Sequence, residues 1–161
     1  MSGDTVQQDV SGVRFPPPFY YLIGLLIGFL IHWRLPVYLV VPQHRRIVGA
    51  PGILMMLLAV MLFAWAIISL RRVGASPNPH VPTEALTAQG PYQFTRNPIY
   101  IAFALVCAGL SLLLNVLWPL LSVPVVLVIV DRVVIRKEER YLEAKFGDEY
   151  RQYKSRVRRW I

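Results

Sequence analysis

The chain has 161 residues, 55% of them hydrophobic, and its mean hydropathy is +0.48. That length suits one domain, but the hydropathy is too high for a soluble domain, so the predicted class is an integral membrane protein. The net charge is +8, and ten of the 17 Lys and Arg residues lie between Arg132 and Arg159. Charge concentrated in this way is typical of a segment that flanks a membrane and does not indicate a nucleic-acid partner.

Four apolar segments come close to the roughly 20 residues that a helix needs to cross a bilayer. They are expected at about 18–33, 47–70 (or 52–70), 98–114 and 120–135. Pro36 and Pro42 make the apolar tract after the first segment a bent extension or a re-entrant piece, with a fifth helix over 35–46 as the minor alternative. The sequence therefore predicts an all-α, polytopic membrane helical bundle of about four transmembrane helices, or five under that alternative.

The charges of the loops predict an orientation. Residues 115–119 are a short uncharged turn, which makes the last two segments an antiparallel hairpin. Four spans place both termini on one side of the membrane. If that side is the cytoplasm, 14 basic residues lie inside and only three, Arg34, Arg45 and Arg46, lie outside, in agreement with the positive-inside rule. We expect an integral protein of the inner or plasma membrane with both termini cytoplasmic.

The tail is helical in pattern from about Lys137 onward. Apolar and aromatic residues recur at spacings of three and four, at Leu142, Phe146, Tyr150, Tyr153, Val157 and Trp160. Gly147 is expected to break or bend this helix. Such a stripe flanked by basic residues is typical of a C-terminal interfacial amphipathic helix, although an amphipathic helix packed on the bundle is an equal alternative. In either case the tail should lie next to the loop 71–97.

Two polar sequences adjoin membrane-length segments, where polar groups are costly unless they have a function. One is Gly90–Tyr100, GPYQFTRNPIY, and the other is the pair Glu138-Glu139. The helix that starts at Asn97-Pro98 has backbone N–H groups without partners, so Asn97 either caps its own helix or helps to hold an anionic group. One carboxylate of the acidic pair is expected to face the bundle and to meet a cation, either Arg96 or a ligand, although a solvated helix turn is the alternative.

Several other kinds of site are not expected. His32, His44 and His80 are scattered over different segments without carboxylate or thiol neighbours at ligand spacing, so the sequence predicts no metal site. No GxSxG, Walker or GxGxxG motif is present. The single cysteine, Cys107, lies in an apolar run and is expected to be a small buried hydrophobe.

The order and spacing of three motifs resemble a known group of membrane enzymes. The motifs are Leu86–Tyr92, Arg96–Tyr100 and Glu138–Tyr153. They resemble the approximate patterns L-V-T-x-G-x-Y, R-[HN]-P-x-Y and E-E-x-x-L-x-x-x-F-G-x-x-Y-x-x-Y of the isoprenylcysteine carboxyl methyltransferase and phospholipid methyltransferase family. The resemblance covers roughly residues 84–157, and the N-terminal spans share only their hydrophobicity.

The resemblance implies a single membrane methyltransferase domain over 1–161, with N-terminal spans at 17–70 and a cofactor-binding core at 84–157. It also implies that S-adenosylmethionine binds at the cytoplasmic ends of the last two membrane helices, under the C-terminal segment. By position in the motifs, the implied cofactor-binding residues are Leu86, Thr87, Tyr92, Asn97, Pro98, Ile99, Tyr100 and Glu138.

The chemistry of methyl transfer suggests candidate catalytic residues. Transfer from a sulfonium is an in-line displacement, so the protein must mainly align the reactants and exclude water. An amine acceptor must lose a proton, for which Glu139 is the candidate base. An anionic acceptor needs only a cation to orient it, and Arg136 and Arg96 are the candidates.

Two departures from the isoprenylcysteine enzymes leave the acceptor open. Asn97 stands where those enzymes usually have His, and Val134 stands where they carry an arginine that contacts the substrate. The acceptor could therefore be an isoprenylcysteine-like carboxylate, a phospholipid amine or a small apolar thiol.

The predicted function is methyl transfer from S-adenosylmethionine to a lipophilic acceptor at the cytoplasmic face of the membrane. A membrane reductase on a related scaffold is one alternative, but such chains are longer. A small transporter or scaffold is the other, but no Asp or Glu lies between Val10 and Glu84 to couple transport to protons. The expected partners are the lipophilic substrate and membrane lipids, and the oligomeric state is left open.

Overall fold

The computed structural model describes residues 15–76 and 85–160. In these ranges the chain forms six α-helices, α1 Pro18–Arg34, α2 Arg45–Arg72, α3 Pro98–Leu113, α4 Leu117–Val130, α5 Arg136–Phe146 and α6 Asp148–Arg156. Short 3₁₀ turns occupy Pro42–His44 and Gly90–Gln93, and a π-helical turn, Asp131–Ile135, joins α4 to α5. The predicted all-α fold is confirmed. His80 and the start of the predicted core at residue 84 lie outside the described residues.

Two helical stretches are long and apolar enough to cross a membrane, as judged by length and composition. They are Pro42–Arg72, with 31 residues, and Leu117–Phe146, with 30. In the second stretch α5 is densely charged, so its apolar part ends at Ile135. The apolar helices α1 and α3 have 17 and 16 residues. All four predicted apolar segments are therefore helices, in agreement with a helical membrane bundle.

Proline marks two helix starts: α2 starts within two residues of Ile47, the first of its two predicted starts, while the start of α4 was predicted three residues too late. α2 begins at Arg45 and runs through Pro51, because a membrane helix tolerates the one backbone hydrogen bond that proline removes. The predicted turn over 115–119 is shorter than expected, since α4 begins at Leu117 and contains Pro119. Pro119 lies in the first helical turn, where a backbone N–H would have no intrahelical partner.

The tract between α1 and α2 forms no fifth helix. It is bent, with the 3₁₀ turn as its helical part, and it binds the loop of the α3–α4 hairpin. Val40 N donates to Asn115 Oδ1 at 3.0 Å, and Asn115 Nδ2 donates to Val40 O at 2.8 Å. Leu117 N donates to Val37 O at 3.1 Å. These hydrogen bonds satisfy an irregular backbone, which explains why the tract does not need to be helical.

Glycines let the helices approach closely. A Cβ atom added to Gly52 of α2 would lie 2.6 Å from Gly109 O, and one added to Gly109 of α3 would lie 2.7 Å from Gly52 O. A Cβ atom added to Gly28 of α1 would lie 2.5 Å from Pro119 Cα. Small residues at helix contacts are typical of membrane bundles. They bring α2 against α3 and α1 against α4.

The tail differs from its prediction at its end. Gly147, with φ 53°, separates α5 from α6, which confirms the predicted break. The helical pattern was expected to continue to Trp160, but α6 ends at Arg156 and Val157 is extended. The backbone beyond α6 bonds to the loop before α3, where Arg96 N donates to Arg158 O at 3.0 Å. The predicted proximity of the tail to the loop 71–97 is therefore confirmed.

Candidate active site

A cavity of about 470 Å³ lies where α3 begins and α5 continues α4. We call it the polar cavity. Its volume is within the range of about 300–1,000 Å³ that is typical of ligand pockets. Ten of the eleven predicted site residues line it, namely Leu86, Thr87, Tyr92, Arg96, Asn97, Pro98, Ile99, Tyr100, Glu138 and Glu139.

Glu138 faces Tyr100 across the cavity. Tyr100 Oη donates a hydrogen bond to Glu138 Oε1 at 2.7 Å. Glu138 lies in the charged helix α5, beyond the apolar part of the spanning helix. Burial raises the pKa of Glu138 to about 7, the neighbouring Glu139 raises it as well, and the hydrogen bond from Tyr100 partly offsets both. Glu138 is therefore a carboxyl group that changes charge near neutral pH.

Glu139 is buried and held by two arginines. Arg159 Nη2 donates to Glu139 Oε2 at 2.6 Å, and Arg159 Nε donates to Glu139 Oε1 at 3.0 Å. Arg96 Nη1 lies 2.9 Å from the same Oε1. A buried carboxylate needs such pairing, because an uncompensated buried charge is strongly destabilising. The expectation that one acid of the pair meets Arg96 agrees with this arrangement.

Arg96 retains hydrogen-bonding capacity inside the cavity. Only 10% of its side chain is exposed. Among the described residues, its Nε and Nη1 have no hydrogen-bond acceptor, although Nη1 is close enough to Glu139 for an ion pair. A buried donor without an acceptor costs about 1–3 kcal/mol. Arg96 lines the cavity, and its positive charge is the feature that an anionic group of a ligand would meet there.

Asn97 stands before α3 but does not cap it with its side chain. Its Nδ2 donates instead to Arg159 O at 2.9 Å. Thr95 Oγ1 donates to the same carbonyl oxygen at 3.0 Å, and Asn97 N donates to Thr95 Oγ1 at 3.2 Å. The side chain of Asn97 is therefore fixed by the tail of the chain, and its amide oxygen is the atom that it can still offer to a ligand.

Tyrosines of the tail complete the polar cavity. Tyr150 and Tyr153 line it, and their ring centroids are 6.1 Å apart. Tyr153 Oη donates to Tyr92 O at 2.8 Å, which joins α6 to the loop. The apolar face of α6 therefore packs over the site.

The remaining wall of the polar cavity is apolar. It comes from the start of α1 and the C-terminal half of α2, with Pro16, Pro17, Phe63, Ile67 and Leu70. Phe103 of α3 continues this wall. One cavity thus combines a charged, hydrogen-bonding side with a side suited to an apolar chain.

Arg136 is the predicted site residue that the structure does not bring to this cavity. Its side chain is 58% exposed, and its Nε lies 3.5 Å from Asp131 Oδ2 on another face of the helix. Asp131 also accepts from Arg159 Nη1, at 3.1 and 3.3 Å.

Sequence reasoning missed some residues of the site. Tyr150 and Tyr153 were part of the recognised motif, and their three-residue spacing could have placed them on the side of α6 that faces the loop. Arg159 belongs to a basic run in which no spacing distinguishes it from its neighbours. Asp131 does not line the polar cavity but pairs with Arg159, and it lies in a π-helical turn, which no sequence pattern predicts.

Comparisons with known proteins identify the family of the chain. A family model described as phospholipid methyltransferase matches residues 47–149. An uncharacterized protein of Haemophilus influenzae is 40% identical over 63 residues, which are 39% of this chain and 100% of that protein. No solved structure matches the chain. Since the family match spans more than half of the 161 residues, the chain belongs to the phospholipid methyltransferase family of membrane methyltransferases.

Proposed function

We propose that this protein transfers a methyl group from S-adenosylmethionine to a lipophilic acceptor in the polar cavity. The observation that carries the proposal is the position of Glu138. It is a carboxylate hydrogen-bonded to Tyr100 at the start of α3, inside a cavity whose other wall is apolar. Membership of a methyltransferase family supports this function over the reductase and transporter alternatives.

The residues of the cavity fit the chemistry of this cofactor. Its ammonium group or ribose hydroxyls can donate to Glu138. Its carboxylate would be attracted by the guanidinium of Arg96, which lines the cavity. Tyrosine rings such as that of Tyr92 can stabilise a sulfonium cation with their faces. Leu86, Thr87 and the turn Asn97–Tyr100 would enclose the remainder of the cofactor.

The bound cofactor supplies an electrophilic methyl group on a positively charged sulfur. The chain's own residues then have three tasks. The turn before α3 and the first turn of α5 fix the cofactor. The apolar wall formed by α1 and α2 orients the lipophilic acceptor, so that the two reactants meet in line. Tyr150 and Tyr153 cover the cavity and help to exclude water.

We assign different roles to the two acids of the pair. Both oxygens of Glu139 are engaged by arginines, so we assign it the positioning of Arg96 and Arg159 rather than proton transfer. We assign Glu138 to the cofactor's ammonium group or ribose hydroxyls, since it lines the cavity beside Tyr100.

Among the possible acceptors we favour a phospholipid amine. Arg136, one of the two cations predicted to orient an anionic acceptor, lies outside the cavity. Arg96 lies inside, but it pairs with Glu139, and we assign its remaining charge to the cofactor's carboxylate. Among the described residues that line the cavity, no cation is therefore left for an anionic acceptor, and a neutral amine needs none. By the positive-inside rule, we place the reaction at the cytoplasmic face.

Isothermal titration of purified protein with S-adenosylhomocysteine tests the cofactor site. We expect Glu138→Gln to weaken binding about tenfold or more, because a charge-assisted hydrogen bond contributes about 1.5–3 kcal/mol. Glu143→Gln is the matched control, since Glu143 lies in the same helix but pairs with Lys154 outside the cavity. Absence of binding by the wild-type protein, or equal affinity in Glu138→Gln, would contradict the proposal.

Incubation of lipid extract with the enzyme and isotopically labelled S-adenosylmethionine tests the acceptor. We expect the label in N-methylated phospholipids, detected by mass spectrometry. Label in a carboxyl methyl ester instead would retain the cofactor site and refute the choice of an amine.

A further inference from the structure

A second cavity lies between α3 and α4, on a different face of α3 from the polar cavity. Its volume is about 740 Å³. Its walls are apolar and are formed chiefly by Ile101, Leu105, Ala108, Val123, Leu127 and Val128. We call it the lateral groove.

One end of the lateral groove is charged. Asp131, Arg132, Arg136 and Trp160 line that end, at the level where the spanning helix changes from apolar to charged residues. Lipid headgroups lie at this level of a membrane protein, and tryptophan is enriched there. The groove thus runs from the apolar depth of the bundle to the surface.

The charged end has an excess of positive charge. The carboxylate of Asp131 already accepts two hydrogen bonds from Arg159. Arg136 is 58% exposed and reaches Asp131 only at 3.5 Å. Arg132 is exposed, and it has no ion-pair partner among the residues that the structure describes. Two guanidinium groups are therefore available at the mouth of an apolar groove.

We infer that the lateral groove binds an anionic phospholipid, with an acyl chain between α3 and α4 and the phosphate at Arg132 and Arg136. Guanidinium groups bind phosphate oxygens with two parallel hydrogen bonds. Each basic residue near an anionic lipid surface adds attraction. A zwitterionic headgroup would bring an ammonium group as well, and Asp131, the acid of the groove, is already paired with Arg159. This site is separate from the one proposed for methyl transfer.

Quenching of Trp160 by brominated lipids tests the inference. The chain has four tryptophans, so Trp33, Trp65 and Trp118 are changed to Phe to leave Trp160 as the reporter. The protein is reconstituted in phosphatidylcholine nanodiscs that contain a small fraction of either dibrominated phosphatidylglycerol or dibrominated phosphatidylcholine. We expect phosphatidylglycerol to quench Trp160 at a concentration on the order of tenfold lower.

The double variant Arg132→Gln/Arg136→Gln should lose this preference, and Arg132→Lys/Arg136→Lys should keep part of it. The matched control is Arg156→Gln/Arg158→Gln, which removes the same charge from exposed side chains of the tail and should keep the preference. Thermal unfolding of each variant reports whether it is folded. Equal quenching by the two lipids in the wild-type groove would overturn the inference. A preference that survives in Arg132→Gln/Arg136→Gln, or disappears in the control, would also overturn it.

Discussion

Arg159 connects the tail to two acids of the helical stretch 117–146 and to the loop before α3. Its guanidinium binds Asp131 and Glu139, and its carbonyl oxygen accepts from Thr95 and Asn97. The side chain thereby neutralises a buried carboxylate, and the backbone sets the orientation of an amide that lines the cavity. A single residue of the basic tail therefore affects the charge and the shape of the site.

We expect Arg159→Gln to destabilise the protein and to weaken binding of S-adenosylhomocysteine. Because its side chain is 29% exposed, the loss should be about 1–3 kcal/mol rather than the full cost of breaking a buried pair. Arg159→Lys should be intermediate, since it keeps the charge but cannot bind both acids with a planar fork. Thermal unfolding measures the loss of stability, and calorimetry measures the loss of S-adenosylhomocysteine binding. Arg158→Gln is the neighbouring control, and an equal loss there would refute a specific role for Arg159.

The pKa of Glu138 predicts how cofactor binding depends on pH. Its pKa is raised to about 7 in the free protein, and a bound ammonium group favours the ionised form and lowers that pKa. Binding below pH 7 must therefore release a proton, so affinity should rise as the pH increases from about 6 to about 8 and then level off. Burial raises the pKa of Tyr150 to about 12 and also raises the pKa values of Tyr92 and Tyr153, so these tyrosines stay neutral in this window. Calorimetry over this range should show a flat profile in Glu138→Gln, and an unchanged slope would contradict the assignment.

At the scale of elements, the positions of the helices follow from hydropathy, and their ends follow from contacts. All four apolar segments were predictable because a bilayer requires length and apolarity together. The turn before α4 was predicted too long because Pro119 is compatible with either a turn or a first helical turn. The extended end of the tail could not be predicted, because residues after Arg156 form hydrogen bonds with residues more than sixty positions earlier.

We expect Gly52→Ala to destabilise the packing of α2 on α3. The new Cβ atom would lie 2.6 Å from Gly109 O and 2.7 Å from Leu113 N, so a backbone would have to move, at a cost of about 1–3 kcal/mol. Gly49→Ala is the matched control in the same helix, since its Cβ atom would meet only Leu113 Cδ1 at 4.0 Å. Thermal unfolding in detergent should show a lower midpoint for Gly52→Ala alone. Equal midpoints would mean that the two helices can separate without loss.

At the scale of the whole molecule, the site is assembled from parts that only the fold brings together. The motifs predicted the polar side of the cavity, because their residues lie at two helix starts. The apolar wall from α1 and α2 was not predicted. In a membrane span, hydrophobic residues that line a cavity have the same sequence pattern as those that face lipid. Arg136 was expected in the site as a cation that orients an anionic acceptor, but its side chain lies on another face of the helix.

The orientation of the molecule can be tested by labelling with cysteine. Gln43, before α2, and Gln152, in α6, are both exposed, and their replacement leaves the charge of the loops unchanged. With both termini cytoplasmic, a maleimide that cannot cross membranes should label Gln43→Cys in intact spheroplasts, and Gln152→Cys only after the membrane is opened. The native Cys107 is buried and should give little background. The reverse pattern would place the site on the other face.

The hydrogen bonds between the tail and the loop before α3 also set an order for biosynthesis. Asn97 and Arg159 are 62 residues apart, which corresponds to about 3–12 s of translation at 5–20 residues per second. During that interval the ribosome has already delivered Arg96 and Asn97, while their partners are still being made. The helical hairpin can enter the bilayer in this time, but the cavity lacks its charge balance and its cover. The nascent chain can therefore enter the membrane before its candidate site is complete.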